Sequence, residues 1–105
     1  MFDIKGINKR YFGITLYLEE YGEEKKVSIN VEPPKVKTLK KLTSLANSSE
    51  DKVIDELEEA IIELLSKNKE KIKINEYVEE LTIDEMTELL TAFFKWLNEE
   101  KKAKN

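Results

Sequence analysis

The chain has 105 residues, 40% of them apolar and 38% charged, with 18 basic and 22 acidic side chains. That length and apolar content suit one small core, so the expectation is a single domain over residues 1–105 rather than a disordered chain. With no Cys and no His, the chain has no means to form disulfides, thiolate metal sites, thiol nucleophiles or imidazole acid–base pairs.

Charge divides the chain. Residues 1–49 carry nine Lys/Arg and six Asp/Glu, a balance of +3, and residues 50–105 carry nine and sixteen, a balance of −7. Such asymmetry permits electrostatic association between copies and argues against the basic face of a nucleic-acid binder. No apolar run approaches the roughly 18–20 residues of a membrane span. The opening Met-Phe-Asp-Ile-Lys lacks the pattern of a signal peptide, so the expected location is the cytoplasm.

The first third reads as β structure. Ile14, Leu16 and Leu18 alternate with Thr15 and Tyr17, and Val27, Ile29 and Val31 alternate with Ser28 and Asn30. Two such runs around a polar segment, Glu19 to Glu24, that contains Gly22 predict an antiparallel hairpin. Phe2 and Ile4 suggest a third short strand, with Gly6 to Arg10 as its turn.

Pro33-Pro34 ends the β region and suits a helix start. Val36, Leu39, Leu42, Leu45 and Ala46 follow at helical spacing, up to the break at Asn47-Ser48-Ser49. Ser48 and Asp51 resemble a cap for a second helix over about 50–67, with a stripe of Val53, Ile54, Leu57, Ala60, Ile61, Leu64 and Leu65. A polar connection over 68–74 leads to a short helix around 76–81, with Asn75 as its expected cap. Thr82 and Glu85 have the spacing of a capping box for the last helix, whose stripe is Ile83, Met86, Leu90, Phe93, Phe94 and Leu97. The tail from residue 99 is charged and expected to fray. The predicted fold class is α+β, an N-terminal antiparallel β-hairpin (two or three strands, residues 1–32) followed by three or four helices (33–100), with a loose tail at 101–105.

No catalytic or cofactor constellation emerges. Asp55/Glu59 and Glu76/Glu80 are acidic pairs at i, i+4, but they lack the glycine turn and alternating oxygens of a calcium loop and read as solvated helix faces. Gly6, Gly13 and Gly22 form no phosphate loop. Lys35, Lys37, Lys40 and Lys41 have no neighbouring aromatics for base stacking. The expectation is therefore a binding protein, not an enzyme, with no metal and no cofactor. On the last helix Leu89 and Trp96 lie about 40–60° beyond the main stripe by helical geometry. With Phe93 they are the candidate protein-binding residues, because Trp is favoured at interface hot spots.

Four stretches in order carry a resemblance: Val31-Glu32-Pro33-Pro34-Lys35, Leu39-Lys40-Lys41-Leu42, Leu64-Leu65-Ser66-Lys67-Asn68-Lys69, and Leu89-Leu90-Thr91-Ala92-Phe93-Phe94-Lys95-Trp96-Leu97-Asn98-Glu99. Together with the chain length they resemble the small tail assembly chaperones of long-tailed bacteriophages and prophages of Gram-positive hosts. The resemblance implies a non-enzymatic protein of the host cytoplasm that binds the tape measure protein, keeps it soluble during tail assembly and self-associates. It also implies a longer frameshifted form, with which an A-rich slippery sequence encoding Lys104-Asn105 would agree. Two other classes stand beside it: a small phage- or mobile-element-encoded inhibitor of a host protein, and a structural tail component.

Overall fold

A computed structural model of the chain describes residues 1–7, 10–46 and 53–102. The elements are β1 (Phe12–Glu20), β2 (Glu23–Val31), α1 (Val36–Ala46), α2 (Val53–Ser66), α3 (Asn75–Glu79) and α4 (Ile83–Lys102). This is the predicted α+β arrangement, a two-stranded antiparallel hairpin followed by four helices. The expected Ser48/Asp51 cap lies outside the described residues, as do residues 103–105 of the tail; α4 itself continues to Lys102.

The hairpin turns through Tyr21 and Gly22, both at positive φ (53° and 77°). A two-residue loop of that kind matches the right-handed twist of the strands and sets the register, Glu20 opposite Glu23 and Phe12 opposite Val31. Leu16, Leu18, Ile29 and Val31 are buried on one face, while Thr15 and Tyr17 face solvent.

The same turn decides where the backbone points. A two-residue loop closes on a hydrogen-bonded pair, here Glu20 and Glu23, so the even-numbered residues of β1 exchange bonds with β2. The N–H and C=O groups of Gly13, Thr15, Tyr17 and Glu19 consequently point to the other edge of β1, where no described backbone meets them. The opposite edge of the hairpin is occupied at Asn30. Its carbonyl accepts the Lys69 N–H at 2.8 Å, and its own N–H donates to Glu70 Oε1 at 2.8 Å.

No third strand forms at Phe2 and Ile4. Residues Ile4–Gly6 make a single 3-10 turn, and the Asp3 carboxylate accepts the Lys5 N–H at 3.0 Å. A short acidic side chain offers the backbone this local bond in competition with strand pairing.

α1 and α2 lie side by side. At their contact the buried Thr38 hydroxyl donates to Glu63 at 2.9 Å, and Lys41 Nζ stands 3.9 Å from the same carboxylate. α2 supplies much of the core through Leu57, Ala60, Ile61, Leu64 and Leu65. Each fully buried Leu or Ile contributes roughly 1.5–3 kcal/mol.

Asn68 then organises the connection to α3. Its side-chain amide donates to Leu65 O at 2.8 Å and Ile72 O at 2.9 Å, and its Oδ1 accepts the Ile72 N–H at 2.8 Å. Ile74, completely buried, takes the cap position of α3 without any side-chain cap bond. Asn75 is therefore the first helical residue and not the cap: burial of Ile74 fixes the entry of the chain and overrides the local preference of Asn. At α4 the capping box is present. The Glu85 N–H donates to Thr82 Oγ1 at 3.0 Å, and the Thr82 N–H donates to Glu85 Oε1 at 2.8 Å. Met86, Leu89, Leu90 and Phe93 carry α4 into the core, whereas Ile83, placed on the stripe by periodicity, is exposed.

Candidate interaction groove

Between the open edge of β1 and the first half of α4 runs a groove of about 970 Å³. Phe12, Ile14, Leu16, Leu81, Leu89 and Ala92 contribute its apolar lining. Glu19, Glu24, Glu80, Asp84, Glu85 and Glu88 contribute the acidic lining, and none of the described lining residues is basic. The hairpin (Glu19, Glu24), the C-cap of α3 (Glu80) and α4 (Asp84, Glu85, Glu88) thus bring six carboxylates around one partly apolar trough. Like charges gathered along a concave, partly apolar surface reinforce one another's field and attract a cationic partner.

The β1 wall is unlike the α4 wall. α4 has its backbone bonds within the helix, but β1 offers the open N–H and C=O groups of Gly13, Thr15, Tyr17 and Glu19. The groove therefore presents backbone hydrogen-bonding capacity, apolar contact and negative charge together.

An aromatic cluster closes the α4 side near Phe12. The Phe12 ring lies 5.6 Å from that of Phe93, nearly edge-on at 78°, and 5.6 Å from that of Trp96. Arg10 sits over Trp96, its guanidinium carbon 4.5 Å from the ring centroid, and both terminal nitrogens donate to Leu97 O at 3.4 Å. A cation over an indole face, with carbonyl partners for its N–H groups, holds the segment before β1 against α4.

Of the three candidate protein-binding residues, Phe93 is completely buried and Leu89 is 8% exposed. Phe93 is covered by Phe12 and Trp96, so in this conformation it is a core residue and offers no surface of its own. Leu89 is on the groove lining. Trp96 is half-buried beneath Arg10 and does not line the groove. Periodicity along α4 placed the three on neighbouring arcs, but which of them β1 covers is a tertiary fact. The acidic lining residues, Arg10 and the open edge of β1 were not among the predicted site residues. Only the density of Glu and Asp over residues 76–88 was a visible signal.

At Glu70 an ionised carboxylate is favoured. The Asn30 N–H at 2.8 Å, and then its side-chain amide at 2.7 Å, hold the Glu70 carboxyl below its ordinary range. Glu20 has the converse effect on its partner, since the hydrogen bond and charge of its carboxylate, 2.8 Å from Lys25 Nζ, raise the lysine. Both pairs support the hairpin and neither borders a reacting centre. Among the described residues no group of three acidic side chains is placed to hold a metal ion, and no helix is long and apolar enough to cross a membrane.

Comparison with known proteins identifies no relative: no family model matches the chain, and neither a curated protein nor a solved structure matches it.

Proposed function

We propose that this protein is a tail assembly chaperone of a long-tailed phage, working in the host cytoplasm, which binds the tape measure protein and keeps it soluble while the tail assembles. The observation that carries the reading is the β1–α4 groove, which joins an apolar lining to six carboxylates with no basic residue among the described lining. A holding protein needs a site that accepts apolar segments of a long partner while its own surface stays charged, and such a site selects partner segments that are apolar and cationic. The four ordered stretches that resemble these chaperones, which include the α4 segment Leu89 to Glu99, supply the second support.

The test is co-expression with the tape measure gene neighbouring this one. The expected result is a soluble tape measure protein that co-purifies with this chain, and a Glu80→Lys/Glu88→Lys double variant that remains folded and loses it. A tape measure protein left insoluble beside the wild-type chain overturns the reading. Detection of this chain in purified finished particles replaces it with a structural role.

A further inference from the structure

Residues 1–7 form an arm outside the core, with Phe2, Ile4 and Ile7 exposed to 77%, 70% and 54%. That is a large apolar surface for so short a segment to leave in water. Phe2 and Ile4 alternate with Asp3 and Lys5, the period of a strand with one apolar and one charged face. Among the described residues a single turn shapes the arm: the Gly6 N–H donates to Asp3 O at 2.9 Å, and the Lys5 N–H donates to the Asp3 carboxylate at 3.0 Å.

The β1 edge has complementary needs. Its open groups at Gly13, Thr15, Tyr17 and Glu19 can be satisfied by an extended backbone but not by a helix, whose own backbone groups are already paired. Beside that edge lie the apolar lining for Phe2 and Ile4 and the carboxylates for a cationic segment; residues 1–9 hold Lys5 and Lys9 against a single acid, Asp3. The arm's own groove is the harder one to reach. Arg10 is tied to Leu97 and Trp96, and Tyr11 lies under Lys69 Nζ at 5.4 Å. To return along β1, the chain's own arm would have to reverse within the few residues ahead of these anchors. The arm of another copy enters without that restraint.

We infer that the N-terminal arm of a second copy docks on the β1 edge as an added strand, with Phe2 and Ile4 on the groove lining and Lys5 towards the carboxylates. The inference rests on the groove and the arm, and stands whether or not the tape measure protein is the partner.

The chain has no cysteine, so one introduced thiol gives a unique label. A nitroxide on Lys5→Cys, in chain without ¹⁵N, is mixed with unmodified ¹⁵N-labelled chain. The expected result is broadening of amides within Gly13–Glu19 of the labelled-nitrogen copy. Phe2→Asp/Ile4→Asp, at exposed positions that leave the core intact, abolishes the broadening and weakens self-association in sedimentation by about tenfold or more. Tyr17→Pro in the acceptor copy removes an outward N–H and no β1–β2 bond, and also reduces the broadening. Intermolecular broadening that is absent or centred elsewhere overturns the inference, as does self-association unchanged by the arm variant. Broadening seen only when nitroxide and ¹⁵N share one chain at high dilution overturns it in favour of the chain's own arm. Co-purification with the tape measure protein is scored separately, so loss of one result leaves the other readable.

Discussion

Phe93→Ala tests the packing that sets the groove's shape. Phe93 is completely buried and in ring contact with Phe12, Phe94 and Trp96 at centroid distances of 5.6, 5.5 and 5.8 Å. Truncating such a ring removes its transfer free energy and leaves a cavity, together about 3–5 kcal/mol. Whole domains of this size are stable by roughly 5–15 kcal/mol, so the variant is expected to fold but only marginally. Unfolding entropy is about 2.1 cal/mol/K per residue, or roughly 0.22 kcal/mol/K for the 105-residue chain. The expected fall in Tm is therefore roughly 14–23 °C. Urea denaturation followed by far-UV circular dichroism reads the free energy, and a thermal scan reads the shift. Trp96→Ala is expected to cost less, because Trp96 is only half-buried. A Phe93→Ala loss under about 1 kcal/mol would refute the reasoning, since it is the size expected of a surface change and not of a core ring.

Thr82→Ala removes one half of the capping box and is expected to cost about 1 kcal/mol in the same denaturation assay, with Ser at that position restoring most of it. Glu70→Gln is expected to be destabilising at neutral pH and to match the wild type in acid. The folded carboxyl lies below its ordinary 4.5, so its stabilisation is present above that value and disappears as pH falls through the lower folded one; denaturation midpoints across an acid titration check this. Tyr21 holds a positive φ without being Gly or Asn and is 97% exposed. Tyr21→Asn is expected to stabilise the hairpin by about 0.5–1 kcal/mol, measured as a raised urea midpoint with an unchanged slope. Arg10→Ala uncovers the single Trp of the chain, Trp96, and is expected to increase acrylamide quenching of its fluorescence.

The parts of the fold legible in the sequence are those specified locally. Alternation in Ile14–Leu18 and Val27–Val31 around a glycine-containing segment specifies the hairpin, and Thr82 with Glu85 specifies the start of α4, because each rests on residues within a few positions of one another. The third strand and the Asn75 cap failed for one kind of reason, a competing interaction. Asp3 captures the backbone locally in the first case, and burial of Ile74 sets the chain path in the second. The groove was not legible, because it needs β1 and α4, some sixty residues apart, to come together. Leu89, Phe93 and Trp96 could be placed around the α4 axis from spacing alone, but not the Phe12 ring that covers Phe93 nor the Arg10 that covers Trp96.

The closure of the hairpin at Asn30 bears on how the protein behaves when concentrated. A free hairpin has two sticky edges and can template a growing cross-β fibre, each new strand presenting a fresh edge to the next. Here the β2 side is stopped at Asn30 by Lys69 and Glu70 and bears the charged Glu24 and Lys26 further along. On the β1 side the approach is bounded by α4. A strand that enters there has β1 on one flank and a helix on the other, so no further strand can follow it. Each molecule accepts one strand at that edge, so the sheet itself ends there and does not grow strand by strand into a cross-β seed.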